Sequence, residues 1–325
     1  DHVHISPSWT GRPPARLLWE QAGLPRLVRR VRPDVVHSPH YTMPLASVLD
    51  RRVRHVVTVH DATFFSHPQL HVPVKARFFR SWTAVSTRVA DAVIVPSVAT
   101  RDEVVRQTGV DPCDVVVIHH GVNHHRFRRP SPEEVERVRT WLGLVPGQGY
   151  VAFLGTLEPR KNVPALVDAF VAACSRRPSP PALVLAGGKG WDHTIDDAVG
   201  RVPSQLRVIR PGFVPDDLVP ALIGGSDVLA YPALGEGFGL PVLEAMACGA
   251  PVLTTRRLSL PEVGGDAVRY ADSPDAADLA RALSALLDDE HERDRLREAG
   301  PARAASFTWE AAAGAHAHVY EQVVR

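Results

Sequence analysis

The chain has 325 residues, a formal net charge of +1, 45% hydrophobic residues and three cysteines. This length predicts two domains, and the lack of any run of about 18 apolar residues argues against a membrane-spanning helix. The cysteines are odd in number and lack metal-binding spacing, which predicts free thiols at small buried positions and a reducing, cytoplasmic compartment.

The small net charge hides an asymmetry between the two halves. Residues 1–143 contain 20 Lys and Arg against 13 Asp and Glu, giving +7, whereas residues 144–325 contain 17 against 23, giving −6. A basic first half suits an anionic membrane surface or a phosphate-bearing acceptor, and solvated arginines explain it equally well. A peripheral membrane contact through one basic stretch is a separate hypothesis; its members are Arg26, Arg29, Arg30 and Arg32.

Strands and helices alternate along the first half. The predicted strands are 34–37, 54–59, 92–95 and 115–118, and the predicted helices are 17–30, 74–90 and 98–107, the last with Ser97 as N-cap. Such alternation predicts a parallel sheet with helices on both faces. We assign residues 1–143 to this first domain and place the boundary in the polar region 126–149.

A second alternating cycle begins at residue 150. The predicted strands are 150–154, 182–185, 206–209, 227–231 and 252–254, and the predicted helices are 163–174, 216–223, 241–248, 275–287, 290–299 and a final helix 309–324 capped by Thr308. This pattern predicts a second doubly wound α/β domain over 144–308, followed by a separate helix over 309–325. Ligands of such folds bind at the carboxyl ends of the strands.

A glycine-rich turn follows the predicted strand 227–231. Its glycines let a ligand approach the backbone closely, and Pro241 suits the first position of the helix that follows. The free N–H groups of a helix start favour an anion such as phosphate. Two carboxylates flank the turn, Glu236 and Glu244, and both suit hydrogen bonds from sugar hydroxyls.

Other strand ends carry further candidate side chains. Arg160 and Lys161 follow strand 150–154, where they could bind the phosphate or form a surface basic pair. His60, next to Asp61, ends strand 54–59, and an imidazole there could act as a general base or be bonded to backbone. The histidines at 119, 120, 124 and 125 lack the spacing of a metal site, and Asp216-Asp217 is interpreted as a helix start. We predict no metal.

Two of these motifs closely resemble those of a known enzyme family. The block E-G-F-G-L-P-V-L-E from Glu236 to Glu244 resembles the donor-site signature of retaining glycosyltransferases of family 4, and G-T-L-E-P-R-K-N from Gly155 resembles their diphosphate motif. The resemblance implies the GT-B fold: two Rossmann-like doubly wound domains facing a cleft. It also implies metal-independent transfer with retention, with a nucleotide sugar as co-substrate and no other cofactor.

The resemblance implies roles for particular positions. Arg160 and Lys161 would bind the donor diphosphate, Glu236 the transferred sugar and Glu244 the ribose, while His60 would lie on the other face of the sugar. Backbone or loop contacts to the donor are implied for Gly155, Gly187, Phe213, Gly237, Phe238, Gly239 and Leu240.

Two departures from the family pattern leave alternatives open. Nothing before Asp34 resembles the usual amino-terminal strand and glycine-rich loop, so either the chain is a fragment or this end is divergent. His120 replaces the usual asparagine of an Asn-Gly-Val motif. A non-catalytic nucleotide-sugar-binding protein and a GT-B epimerase are therefore alternatives to a transferase.

The donor and the acceptor are harder to predict. Residues 60–65 look most like those of mannosyltransferase-type members, which favours GDP-mannose over UDP-glucose. The acceptor could be a glycan, a glycolipid or a small molecule, and no feature predicts nucleic-acid binding.

Overall fold

The computed structural model describes residues 13–325, whose contacts divide into two compact units. The first unit comprises the described residues up to Ile118 together with Ala313–Arg325, and the second is His119–Ala312. This division falls earlier than the predicted boundary at residue 143. The reason is helix α6 (Pro132–Trp141), which buries Val138 in the core of the second unit.

The first unit contains a four-stranded parallel sheet in the order β1-β2-β3-β4. Its strands are β1 (Val35–Ser38), β2 (Arg54–Thr58), β3 (Ala92–Val95) and β4 (Val115–Val117). Its helices are α1 (Pro13–Leu18), α2 (Leu24–Val31), α3 (Thr63–Ser66), α4 (Pro73–Val89) and α5 (Val98–Thr108). The predicted helix 17–30 is therefore longer, and a π-helical turn at Trp19–Gly23 interrupts it. The expected departure before Asp34 falls partly on residues 1–12, which lie outside the described residues.

The second unit contains a six-stranded parallel sheet in the order β10-β9-β8-β5-β6-β7. Its strands are β5 (Tyr150–Leu154), β6 (Ala182–Ala186), β7 (Val208–Gly212), β8 (Val228–Tyr231), β9 (Val252–Thr255) and β10 (Arg269–Ala271). After α6, its helices are α7 (Val163–Cys174), α8 (Thr194–Gly200), α9 (Val219–Gly224), α10 (Leu240–Ala247), α11 (Leu260–Gly264), α12 (Ala276–Asp288) and α13 (Glu290–Ala304), and α14 (Trp309–Val324) follows. This strand order is that of a doubly wound nucleotide-binding sheet.

Two predicted helix caps are confirmed. Ser97 Oγ accepts from the Thr100 N–H at 3.1 Å, and Thr308 Oγ1 accepts from the Ala311 N–H at 3.1 Å. Each bond satisfies one of the amide groups that have no partner within a helix.

Some boundaries and burial predictions were wrong. Helix α9 begins at Val219, so Asp216 and Asp217 precede it by at least one residue instead of starting it. All three cysteines are free, as expected, but Cys113 is exposed while the other two are buried. Among residues 13–325, no helix combines the length and apolar character that a bilayer crossing needs.

Candidate functional site

The candidate site of the second unit lies where the strand order of its sheet reverses. Strands β5 and β8 are neighbours, and the chain leaves them in opposite directions along the sheet. Loops at such a switch point diverge and leave a crevice at the carboxyl ends of the strands. The loops after these strands carry the two motifs found in the sequence, and a hydrogen bond from Leu234 N to Arg160 O, 2.9 Å long, joins them.

Two basic side chains converge there on one carboxylate. Lys161 Nζ lies 2.5 Å from Glu236 Oε1, and Arg160 Nη1 lies 2.6 Å from Glu236 Oε2. Tyr231, at the end of β8, donates its hydroxyl to Glu236 Oε1 at 2.8 Å and accepts from Lys161. Glu158 lies 3.4 Å from Arg160. We call the four residues Glu158, Arg160, Lys161 and Glu236 the charge cluster.

The charge cluster is largely withdrawn from water. Lys161 is 7% exposed and Glu236 is 8% exposed. Burial alone would raise the pKa of Glu236, but the charges of Lys161 and Arg160 outweigh it and hold the pKa below the usual value. Glu236 is therefore anionic at neutral pH, and its charge balances one of the two cations.

Glycines let the neighbouring loops pack against each other at this edge. Gly187, after β6, has a φ of +134°, and a Cβ there would lie 2.1 Å from the Gly155 carbonyl oxygen. Gly190 is equally close to Leu157, whose carbonyl oxygen would lie 1.9 Å from an added Cβ. The backbone groups at the ends of β5 and β6 are thus brought together.

The glycine-rich turn between β8 and α10 is held by buried side chains. Ser259 Oγ donates to the Glu236 carbonyl at 2.8 Å, and Gly239 adopts a φ of +101° before α10 begins at Leu240. Phe238 is 4% exposed and packs against the rings of His120 and Phe307. The side chain of Phe238 therefore anchors the turn, in which Gly237 and Gly239 are themselves buried.

Glu244 lies farther along α10 and has a different electrostatic environment. Burial raises its pKa to about 7, and the charge of Arg126 opposes this only in part. Arg126 itself donates to Asp216 at 3.1 Å. A half-buried carboxylate with a raised pKa suits hydrogen bonding to neutral hydroxyl groups.

Among the predicted donor contacts, Phe213 follows the strand that is farthest from β5 in the order of the sheet. It follows β7, the second strand away from β5, and is 78% exposed. Its backbone neighbour Gly212 accepts from the Gly187 N–H at 2.8 Å, so the β7 loop adjoins the loop after β6.

His60 belongs to the first unit. Its Nε2 lies 2.7 Å from the Pro39 carbonyl oxygen and donates to it. Asp61 accepts from the Tyr41 hydroxyl at 2.8 Å and from the Thr63 hydroxyl at 2.6 Å.

His37 lies near His60 in the first unit and holds part of the last helix. Its Nδ1 lies 2.7 Å from the Tyr320 hydroxyl, and its Nε2 lies 2.8 Å from Thr58 Oγ1. Burial and the nearby rings of His316 and His60 lower its pKa to about 4. His37 is therefore neutral in the physiological range.

Two of the histidines after β4 form hydrogen bonds inside the second unit. His119 Nε2 lies 2.7 Å from Glu262 Oε1, and His124 Nε2 donates to the Phe307 carbonyl at 3.3 Å. Within the described part of the chain, no three His, Cys, Asp or Glu side chains are grouped so as to hold a metal ion.

Sequence reasoning missed several residues of the site. Tyr231 and Ser259 bind Glu236, and Arg126 acts on Glu244. Tyr231 had a usable signal, because a tyrosine ending a buried strand needs a partner for its hydroxyl.

Both parts of the chain match family models. Residues 1–126 match the model described as Glycosyltransferase Family 4, and residues 135–303 match the model described as Glycosyl transferases group 1.

Curated relatives resemble most of the chain. O-antigen chain mannosyltransferase B of Escherichia coli is 32% identical over 277 residues, which is 85% of this chain and 71% of the relative. D-inositol 3-phosphate glycosyltransferase of Corynebacterium jeikeium is 30% identical over 245 residues, 72% of this chain and 58% of the relative.

Solved structures share the fold at low sequence identity. Alr3699/HepE of Anabaena in complex with UDP has a TM-score of 0.78 at 20% identity, covering 93% of this chain and 81% of the other. WaaG, a glycosyltransferase involved in lipopolysaccharide biosynthesis, has a TM-score of 0.73 at 16% identity, covering 93% and 80%.

Proposed function

The chain belongs to glycosyltransferase family 4, has the GT-B fold and is similar to a mannosyltransferase. We propose that it transfers a hexose, with mannose favoured, from a nucleotide-diphosphate sugar. The acceptor would be a hydroxyl of a glycan, a glycolipid or a small molecule. The observation that carries the proposal is the convergence of Arg160 and Lys161 on Glu236 at the switch point of the second sheet.

The charge cluster suits the departure of a diphosphate. As the bond between sugar and phosphate breaks, the leaving group gains negative charge. Arg160, Lys161 and the amides that start α10 would stabilise that change more in the transition state than in the ground state. These fixed positive groups can do the work that a metal ion does elsewhere, so we propose metal-independent transfer without a further cofactor.

Glu236 and Glu244 would fix the donor by its hydroxyls. Glu236 would accept from the transferred sugar and Glu244 from the ribose, while the backbone at Gly155, Gly187 and Gly237 would approach the phosphates. We propose retention of configuration, with a phosphate oxygen of the leaving group taking the acceptor proton. His60 would then orient the reacting sugar rather than deprotonate the acceptor.

The identity of the donor rests on weaker support. The mannosyltransferase relative favours GDP-mannose, as does the sequence from His60 onward. The UDP-bound neighbour leaves UDP-sugars as competitors, and the inositol-phosphate relative leaves the acceptor open.

A thermal-shift panel with GDP, UDP, ADP, GDP-mannose and UDP-glucose tests the donor. A ligand that binds only the folded state stabilises it by about 2.7 kcal/mol at a hundredfold excess over Kd. Transfer of labelled sugar to a mixture of glycosides then tests the reaction. Donor binding without transfer or hydrolysis would favour a binding protein, and conversion of one nucleotide sugar into another would favour an epimerase.

We also propose a cytoplasmic protein that touches the membrane surface through the basic stretch around α2. The side chains concerned are exposed: Arg26, Arg29, Arg30 and Arg32. Sedimentation with anionic liposomes at low salt tests the contact, and the absence of binding there would refute it.

A further inference from the structure

A groove runs along the amino-terminal half of α4 in the first unit. Its cavity measures about 510 Å³, within the range of small-molecule sites. One wall is apolar and is formed by Leu17, Val74, Phe78 and Phe79. Val74 is 80% exposed, an unusual position for a valine at the mouth of a cavity unless something covers it.

The charges around the groove are mainly positive. Arg16 and Lys75 line it, and both are exposed. Between Asp61 and Asp91 the sequence contains no acidic residue. Glu20 also lines the groove, but its carboxylate accepts from Thr42 Oγ1 at 3.0 Å and from Gln21 at 3.1 Å, and burial raises its pKa. Glu20 is half-buried and interacts with the charge of Arg16, so the groove carries two exposed cations and one half-buried carboxylate.

The groove connects to the candidate reaction centre through one ring. His40 lines the groove, and its ring centroid lies 6.0 Å from that of His60 and 6.0 Å from that of Phe79. A molecule lying in the groove would therefore contact His40, whose ring neighbours that of His60, the residue that faces the reacting sugar in the proposed function.

We propose that this groove is the acceptor subsite and that it takes an acceptor in which an apolar chain adjoins an anionic group such as a phosphate. The apolar wall contacts the chain, and Arg16 and Lys75 contact the anion. The acceptor hydroxyl is then presented past His40 towards His60. This assignment of acceptor class rests on the proposed transferase function.

Direct binding tests the groove without relying on catalysis. Octyl phosphate, below its micelle concentration, should bind by titration calorimetry, whereas octyl glucoside and inorganic phosphate should each bind at least about tenfold more weakly, because each supplies half of the chemistry. Lys75→Glu should weaken the binding of octyl phosphate roughly tenfold, and Val74→Asp should weaken it by a similar factor.

The same helix supplies matched controls. Arg77→Glu makes the same charge change on exposed α4 surface outside the groove, and Val85→Asp replaces another valine of α4, 43% exposed, with aspartate. Both should leave binding within about twofold. Equal losses of octyl phosphate affinity in Lys75→Glu and Arg77→Glu would overturn the proposal, since they would indicate binding by a diffuse charged surface. Binding only to anionic vesicles and not to monomeric octyl phosphate would overturn it in favour of membrane docking.

A kinetic arm separates this inference from the proposed function. With the donor fixed, octyl mannosyl phosphate should have a lower KM than octyl mannoside, and Lys75→Glu should raise only the former KM with kcat retained. Equal KM values without octyl phosphate binding would refute the groove while the transferase stands. Octyl phosphate binding without transfer to any acceptor would support the groove and refute the transferase.

Discussion

Neutralising Glu236 should destabilise the protein more than removing Lys161 does. Glu236→Gln keeps the shape of the side chain, but the amide can accept hydrogen bonds at its one oxygen only, whereas the carboxylate accepts them at two. Glu236 now accepts from Lys161 at one oxygen and from Arg160 at the other, at 2.5 and 2.6 Å. An amide oxygen can face one cation only, and its NH₂ group then faces the other, which is a contact between two donors.

The size of the effect follows from burial. Breaking a buried ion pair by removing one partner costs about 3–5 kcal/mol, because the other charge is left uncompensated. Glu236→Gln removes the carboxylate partner of Lys161, which is only 7% exposed, and leaves Arg160 with Glu158 at 3.4 Å as its remaining carboxylate. Lys161→Met leaves Glu236 with Arg160 and the Tyr231 hydroxyl, so it should cost about 1–3 kcal/mol. A loss of about 4 kcal/mol is a large part of a typical stability of 5–15 kcal/mol.

Urea unfolding measured by fluorescence tests this order. At pH 7 the midpoint should fall in both variants and further in Glu236→Gln, with the m-value unchanged. Millimolar pyrophosphate should recover more stability in Glu236→Gln than in the wild type, because it returns negative charge to the two cations. A Glu236→Gln midpoint equal to that of the wild type, or above that of Lys161→Met, would refute the interpretation of the cluster as a buried charge balance.

Three further predictions concern the rest of the site and the last helix. The pKa of Glu244 is raised from 4.5 to about 7, so between these values the folded state holds a proton that the unfolded state has lost, and stability falls as the pH rises. The stability of Glu244→Gln relative to the wild type should therefore grow between pH 5 and 8. The affinity of this variant for the donor should drop about tenfold. Gly187→Ala should cost at least about 2 kcal/mol and abolish donor binding, because the new Cβ would clash with Gly155 at a positive φ; a thermal scan showing an unchanged Tm would contradict this. Tyr320→Phe should cost about 1 kcal/mol by removing the hydroxyl partner of His37; exchange of the amide hydrogens of α14 should accelerate, and unaltered exchange would argue against this bond.

The buried strands were the easiest elements to predict from the sequence. Strands β3 and β5 were predicted at their observed bounds, because four or five consecutive apolar residues between polar neighbours leave little freedom in placing a fully buried parallel strand. The caps at Ser97 and Thr308 were equally local, since each depends on one side chain and an amide three residues away.

Helix α6 was missed although the sequence contains its signal. Ser131 and Glu134 form a capping box, in which Ser131 Oγ accepts from the Glu134 N–H and the Glu134 carboxylate accepts from the Ser131 N–H at 2.7 Å. The polar composition of the region suggested a linker, but a helix on the edge of a unit needs only a narrow apolar stripe, here centred on Val138.

The pairing inside the charge cluster could not be predicted from local pattern. Lys161 and Glu236 are 75 residues apart, and only the order of strands in the sheet brings β5 beside β8. The sequence indicated which residues face the ligand crevice, because strand ends of parallel sheets share an edge. It did not indicate that the carboxylate and the cations would pair with each other.

That mutual satisfaction bears on how a donor binds. Two cations buried without a counter-charge would be costly and would lower their pKa values or open the loops. Glu236 offsets part of this cost, although burial still lowers the pKa of Lys161, and it holds Arg160 and Lys161 in place. A diphosphate bound there as proposed would replace Glu236 as their partner, so donor affinity would depend on the difference between two sets of ion pairs rather than on the strength of either. A sugar hydroxyl that donates to the released Glu236 would stabilise the exchanged state, which couples recognition of the sugar to binding of the phosphates.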